Sequence, residues 1–469
     1  MATAQPVIGY LPDERPPIWK LLLYAIQQVI VMFPATVAVA IITNFHISTT
    51  IFASGLATIC FILVTGRKIP LYYGSSFSYV AAIGSLMASS AMANYSLNEK
   101  IAVAQFGIVM SGFVSIAAGL VVSRFGRESI EKILPASITG PIAMVIGLTL
   151  AGNAMSDASS IAIDTMGTVA VAKSQIALAQ NMAWIIALVT LISTILFSVY
   201  LKGVLGQLPI LFGPILGCAV AFVIGQVSGI NLFKVLPESA NSGIFALPVF
   251  TLPMPSWVAV AAIMPIAIAT IPESTAHVYQ LDIYVNDLAR KIGTGKKYNI
   301  ADKLGLNLIG DGIGDMVSGM IGGPAGTNYG ENISAMAITR VFSIPVLIAA
   351  SIIAMVIACF TPLVNTIYSI PAAVIGGLEI YLFGAIAAQG VAIMIEKKVD
   401  MFSAKNIAVI ASIMIIGLGG KYAFGGTGNI PIFGMEIPCI AGAAIFGIVM
   451  NLVLSIGGQK NPQAPVKAA

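Results

Sequence analysis

The chain has 469 residues, of which 58% are hydrophobic and 9% charged, with a mean hydropathy of +0.96. Soluble domains carry about 25% charged residues, so this composition describes a polytopic membrane protein. A net charge of +4 indicates no nucleic-acid partner, and the four cysteines, Cys60, Cys218, Cys359 and Cys439, show neither a disulfide framework nor metal-ligand spacing.

Residues 1–20 hold Asp13, Glu14, Arg15 and several prolines without an apolar stretch, so no cleaved signal peptide is expected there. Apolar runs predict fourteen spans, centred near Ile30, Ala57, Ala81, Gly112, Met144, Leu191, Leu216, Ala267, Gly312, Ala335, Ala354, Leu382, Ser412 and Ala444. Alternate loops differ sharply in basic residues. One side collects nineteen of the 23, Arg127, Lys132, Lys460 and Lys467 among them, and the other keeps Lys100, Lys173, Lys234 and Lys421. The positive-inside rule then places both termini in the cytoplasm.

Two spans break the pattern of plain helices. The third opens with Ile69–Tyr79, IPLYYGSSFSY, and the tenth with Gly322–Tyr329, GGPAGTNY, both rich in Gly and Pro before a fresh helical start. Their corresponding places in two sets of seven spans predict an inverted repeat, in which broken helices put a binding site near the bilayer centre.

The acids in these spans point to chemistry. An acid at bilayer depth costs roughly 2.5–3.5 kcal/mol, so it is kept where a cavity, a partner or a ligand uses it. Glu331 starts the helical part of the tenth span. Glu273 and His277 lie four residues apart in the eighth, on one helical face. Such carboxyls suit proton coupling, while the exposed N–H groups of the half-helices suit carbonyl oxygens or anions. Phe77, Tyr79 and Tyr329 are candidates to stack on a flat ring. Asp311 and Asp315 share a face in a glycine-dense ninth span, open to either a functional or a structural role. Glu379 is an acid without an evident partner. His46 and His277 are too few for a metal cluster, GTGKKY at Gly293 lacks phosphate-loop spacing, and neither GxSxG nor HExxH occurs. An enzyme is not expected, nor a metal or other cofactor.

Five stretches resemble the nucleobase/ascorbate transporters, bacterial uracil permeases most of all: RPPIW, QQVIVMFPATV, KIPLYYGSSFSYV, PESTAH and TNYGENISAMAITRV. The resemblance implies an all-α fold of 14 transmembrane segments in two inverted seven-span repeats, with short β-strands in spans 3 and 10. It implies a core domain (1–133, spans 1–4, and 256–366, spans 8–11) and a gate domain (134–255, spans 5–7, and 367–469, spans 12–14). By the same resemblance Glu273, Glu331, Phe77, Tyr329, Ser76 and Gly330 bind substrate, and Glu273, His277, Glu331 and Asp311 couple protons. The implied activity is proton-driven import of a nucleobase, uracil first, across the cytoplasmic (inner) membrane by alternating access. The implied partners are the base, protons, membrane lipids and a second copy of the chain through the gate domain. Gln28 stands where uracil-type members usually have histidine, Ser334 where glycine is usual, and Asp311 matches xanthine-type members. These departures leave thymine or a purine such as xanthine as alternatives to uracil within the same family; an anion transporter of the same fold is a separate alternative, against which Glu273 and Glu331 count.

Overall fold

The computed structural model describes residues 9–89, 92–126, 128, 134–160, 176–203, 205–234, 236, 243–424, 428–432 and 435–456. Of the basic residues used to orient the chain, Arg127, Lys132, Lys173, Lys460 and Lys467 lie outside the described residues. Long apolar runs without competing turn residues become helices. In order these are α1 (Ile18–Ile42), α2 (Ile47–Val64), α3 (Val80–Met87), α4 (Leu97–Phe125), α5 (Ala136–Thr149), α6 (Ala151–Ala158), α7 (Ile176–Tyr200) and α8 (Pro209–Ser228). The second half continues with α9 (Trp257–Ile263), α10 (Ala267–Ile292), α11 (Leu304–Ile321), α12 (Gly330–Thr339), α13 (Ile344–Ala358), α14 (Thr361–Tyr368), α15 (Ala372–Glu396), α16 (Ala404–Ala423) and α17 (Cys439–Ile456). Two short strands, β1 (Tyr73–Ser75) and β2 (Gly326–Asn328), pair with each other, and a hairpin of β3 (Asn429–Ile432) and β4 (Met435–Pro438) precedes α17.

Among the described residues, ten helical segments are long and apolar enough to cross a membrane. The remaining four of the fourteen predicted spans are α11, dense in Gly and Asp, the short α13, and two half-helical spans. The apolar helical part of span 3, Phe77–Met87, covers about 16 Å at 1.5 Å per residue, roughly half of the ~30 Å hydrocarbon core. Non-helical backbone that includes β1 precedes it. Unpaired strand groups cannot face lipid, and here both strands are buried and bonded to each other.

The packing follows the repeat. The fourth span, α4, packs along the ninth, α11, and moving seven spans on turns this pair into α13 and α2, which also pack together. The pairs α7 with α8 and α16 with α17 match in the same way, as do α7 with α15 and α16 with α5, while α5 with α15 maps onto itself. Close approach of α4 and α11 needs glycine. A Cβ on Gly112 would sit 2.4 Å from the Gly312 carbonyl oxygen, and one on Gly312 would sit 2.4 Å from that of Gly112.

Along the edge of the bundle, the N-terminal segment pairs with the chain that leaves α12. Tyr10 N–H donates to Arg340 O (2.9 Å) and Phe342 N–H to Tyr10 O (2.8 Å). Asp13 accepts from Lys296 Nζ (2.7 Å) and Tyr298 OH (2.5 Å), and these bonds hold its carboxyl below the usual aspartate range. A lowered native pKa means that the clasp is fully present above the unfolded value of about 3.9 and is lost as pH falls below it. Because these groups are largely exposed, Asp13→Asn should cost no more than about 1 kcal/mol. It should nevertheless speed proteolysis before α1 at neutral pH, and a cleavage rate equal to the parent's would show that the clasp does not hold the segment.

Candidate functional site

The site is built where β1 and β2 meet, antiparallel, with Tyr73 opposite Asn328, Gly74 opposite Thr327 and Ser75 opposite Gly326. Glycine is required at both crossing points. A Cβ on Gly74 would lie 2.3 Å from Tyr329 Cζ, and one on Gly326 2.4 Å from Tyr73 Cε1.

Two buried aspartates of α11 hold the crossing from behind. Asp315, 2% exposed, accepts from the Tyr73 hydroxyl and, at 2.8 Å, from Gly326 N–H, so it ties the two strands to one helix. Asp311 Oδ2 accepts from Ser274 Oγ (2.5 Å), Asn307 Nδ2 (3.1 Å) and Asn328 Nδ2 (3.3 Å). It thereby joins α10, α11 and β2.

From this anchored crossing two half-helices start. Ser76 accepts from Ser78 N–H (3.2 Å) and caps the 3-10 turn Phe77–Tyr79 that leads into α3. Tyr329, with φ −86° and ψ 115°, precedes α12 without a side-chain cap; the Glu331 carboxylate engages its own backbone N–H, and the other N–H groups at the start of α12 are left for a ligand or water. The Tyr329 hydroxyl donates to Ser75 O (2.9 Å) and lies 3.0 Å from Thr36 Oγ1, which pins the two strand ends together. Asn332 Nδ2 donates to Gln28 at both its carbonyl oxygen (3.0 Å) and Oε1 (2.8 Å). The glutamine in α1 thus fixes α12 through neutral hydrogen bonds.

In front of the crossing lies a cavity of about 350 Å³, within the range of small-molecule sites. Phe77, Glu273, His277, Tyr329, Gly330 and Glu331 line one wall. Thr139 and Ala143 of α5, Ile210 of α8, and Tyr381, Leu382, Ala385, Ile386, Gln389 and Ile393 of α15 form the facing wall. Ser78 reaches the Glu273 carboxylate, and Glu331 is close enough to repel it. The His277 ring packs against Gly330, where a Cβ would come within 2.8 Å of Nε2. Two carboxylates in one apolar recess favour holding a proton or an N–H donor between them.

The structure therefore gathers Phe77, Glu273, His277, Tyr329, Gly330 and Glu331 from three separate spans. Ser76 stands behind the lining as a cap, between cavity residues Ser75 and Phe77. Asp311 is set back too, holding Asn328 and Ser274. Of the three aromatics considered for stacking, Phe77 faces the cavity, Tyr329 is locked at its edge and Tyr79 is fully buried away from the lining. Thr139, Tyr381 and Gln389 were not anticipated, because they are ordinary polar interruptions of apolar helices. Among the described residues there is no cluster of three or more His, Cys, Asp or Glu able to hold a metal ion.

Broken spans crossing within the bundle, with half-helix ends facing an apolar recess that holds two carboxylates, define a multi-pass membrane transporter rather than an enzyme. The chain belongs to the xanthine–uracil type permease family, whose model, described as "Permease family", matches residues 19–426. It is 32% identical over 449 residues to the uracil permease of Bacillus caldolyticus, covering 94% of each chain. It is 31% identical over 455 residues to the uracil permease of Escherichia coli (strain K12), covering 97% of this chain and 96% of that one. Among solved structures, the murine Solute Carrier 26 family member A9 anion transporter, in its inward-facing state, aligns with a TM-score of 0.62 at 13% identity, covering 96% of this chain and 70% of that one. The transmembrane domain of the cyanobacterial bicarbonate transporter BicA aligns with a TM-score of 0.57 at 15% identity, covering 94% and 99%. These two likenesses establish the seven-plus-seven inverted-repeat fold.

Proposed function

We propose that this permease imports a nucleobase, uracil first among them, together with a proton across the cytoplasmic membrane. The observation that carries this reading is the meeting of Glu273 and Glu331 in one cavity beside Phe77. Uracil offers two ring N–H donors and two carbonyl acceptors in one plane. Ionised carboxylates only accept hydrogen bonds, so Glu331 and Glu273 suit the N–H groups, while the first N–H groups of α12 suit a carbonyl. The uracil permeases named above, similar along most of their length, support the same substrate.

The two walls of the cavity support alternating access. Spans 1–4 and 8–11 (residues 1–133 and 256–366) would form the core that carries the base, and spans 5–7 and 12–14 (residues 134–255 and 367–469) the gate across which it moves. In this scheme Glu273, Glu331 and His277 handle the proton, with Asp311 positioning Asn328 behind them. Both termini face the cytoplasm, in keeping with the basic loops, and a second copy would dock through the gate.

The first test is binding of uracil, thymine, xanthine and hypoxanthine to purified protein by calorimetry at about pH 5.5 and about pH 7.5, on either side of an unperturbed histidine. Selective uracil binding that tightens in acid is the expected result. A purine preference would move the substrate, and binding of no base would overturn the reading in favour of an anion carrier of this fold. Phe77→Ala should weaken uracil binding by roughly 1–3 kcal/mol, the scale of base–aromatic stacking; undiminished affinity would remove the stacking role.

A further inference from the structure

Away from the cavity, α15 carries a second buried acid that nothing in the transport scheme uses. Glu379 is 0% exposed, and neither carboxylate oxygen has a hydrogen bond of good geometry. Its neighbour is the carboxyl of Asp157 at the end of α6. The two helices are in close contact here: Gly376, one turn before Glu379, packs so tightly that a Cβ there would lie 2.0 Å from Ala158 N and 2.5 Å from the Asp157 carbonyl carbon.

The charges around the pair can be followed element by element. Helix α15 packs on α5, α6, α7 and α8. Among the described residues α6 supplies Asp157, the other three supply no charged group facing Glu379, and the chain after α8 supplies Lys234. Lys234 N–H donates to Ser369 O (3.0 Å), just before α15, which holds this lysine over the helix end. Two carboxylates against one ammonium leave one negative charge unmet. Two close carboxylates, one of them fully buried, resist ionising together.

We propose that Glu379 and Asp157 share one proton, forming a protonation site distinct from the substrate cavity, on the face of the protein away from the basic loops. Losing that proton would set two negative charges against each other and loosen α15 from α6. Tyr381, two residues on, lines the cavity and bonds Ser198 of α7 (2.7 Å), so the loosening reaches the wall that faces the substrate.

The experiment is hydrogen–deuterium difference infrared spectroscopy of the purified, lipid-reconstituted full chain, titrated from neutral to alkaline pH without substrate. The expected result is a protonated-carboxyl C=O band that disappears on alkalinisation in the parent, is missing in Glu379→Gln, and shifts in Asp157→Asn. Over the same range the parent's melting temperature should fall and that of Glu379→Gln should stay level. A band left intact by Glu379→Gln would overturn the proposal, as would a stabilisation by sodium at constant pH that Glu379→Gln abolishes, since a metal ion would then occupy the pair. Should Glu379→Gln not fold, an unshifted band in Asp157→Asn is the overturning outcome. None of these readouts depends on the identity of the transported base.

Discussion

Vesicles containing the Glu273→Gln variant are expected to bring uracil only to equal concentrations inside and out. One proton entering with each neutral base carries one charge, worth about 2.3 kcal/mol per 100 mV of membrane potential. At about 1.4 kcal/mol per tenfold ratio, this drives a roughly 50-fold accumulation at about 100 mV. Glutamine preserves the size and hydrogen-bonding reach of the side chain but carries no titratable proton. Measuring labelled uracil in energised vesicles, with counterflow in de-energised ones as the control, separates coupling from binding. Full accumulation by the variant would take Glu273 out of the proton path. Loss of counterflow as well would show that the carboxylate is needed to hold the base.

The second large effect falls on a residue that never touches the cavity. Asp315→Ala removes the acceptor shared by the Tyr73 hydroxyl and the Gly326 N–H, and leaves two buried donors without it. Each orphaned donor costs about 1–3 kcal/mol, and both sit on the strands that fix the starts of the two half-helices. A fall of several degrees in melting temperature, with loss of uracil binding, is expected. Asp315→Asn, which retains an acceptor oxygen, should recover much of the stability. A variant as stable as the parent would mean that the β1–β2 crossing is held by its backbone pairing alone.

Much of this was legible in the chain itself, because the bilayer imposes simple rules on composition. Spans must be apolar and of set length, and every backbone group must be paired, so the fourteen segments, the interrupted third and tenth, and the rarity of acids such as Glu273 and Glu331 all stood out locally. The stretches PESTAH and TNYGENISAMAITRV pointed to the cavity for the same reason. Other assignments could come only from the fold. Asp311 and Asp315 lie in one glycine-dense helix, and nothing in their spacing says that one binds Ser274 and Asn328 while the other ties Tyr73 to Gly326. Tyr329, Tyr79 and Phe77 are alike as aromatics beside a broken helix, yet only the crossing of the strands turns Phe77 to the cavity and locks Tyr329 by its hydroxyl. Thr139, Tyr381 and Gln389 come from a wall distant in sequence, and Glu379 finds Asp157 across a helix pair closed by Gly376. Local chemistry, set by solvation, was determined by the sequence alone; which polar groups meet was decided by the tertiary structure, because contacts between residues hundreds of positions apart depend on how whole helices pack.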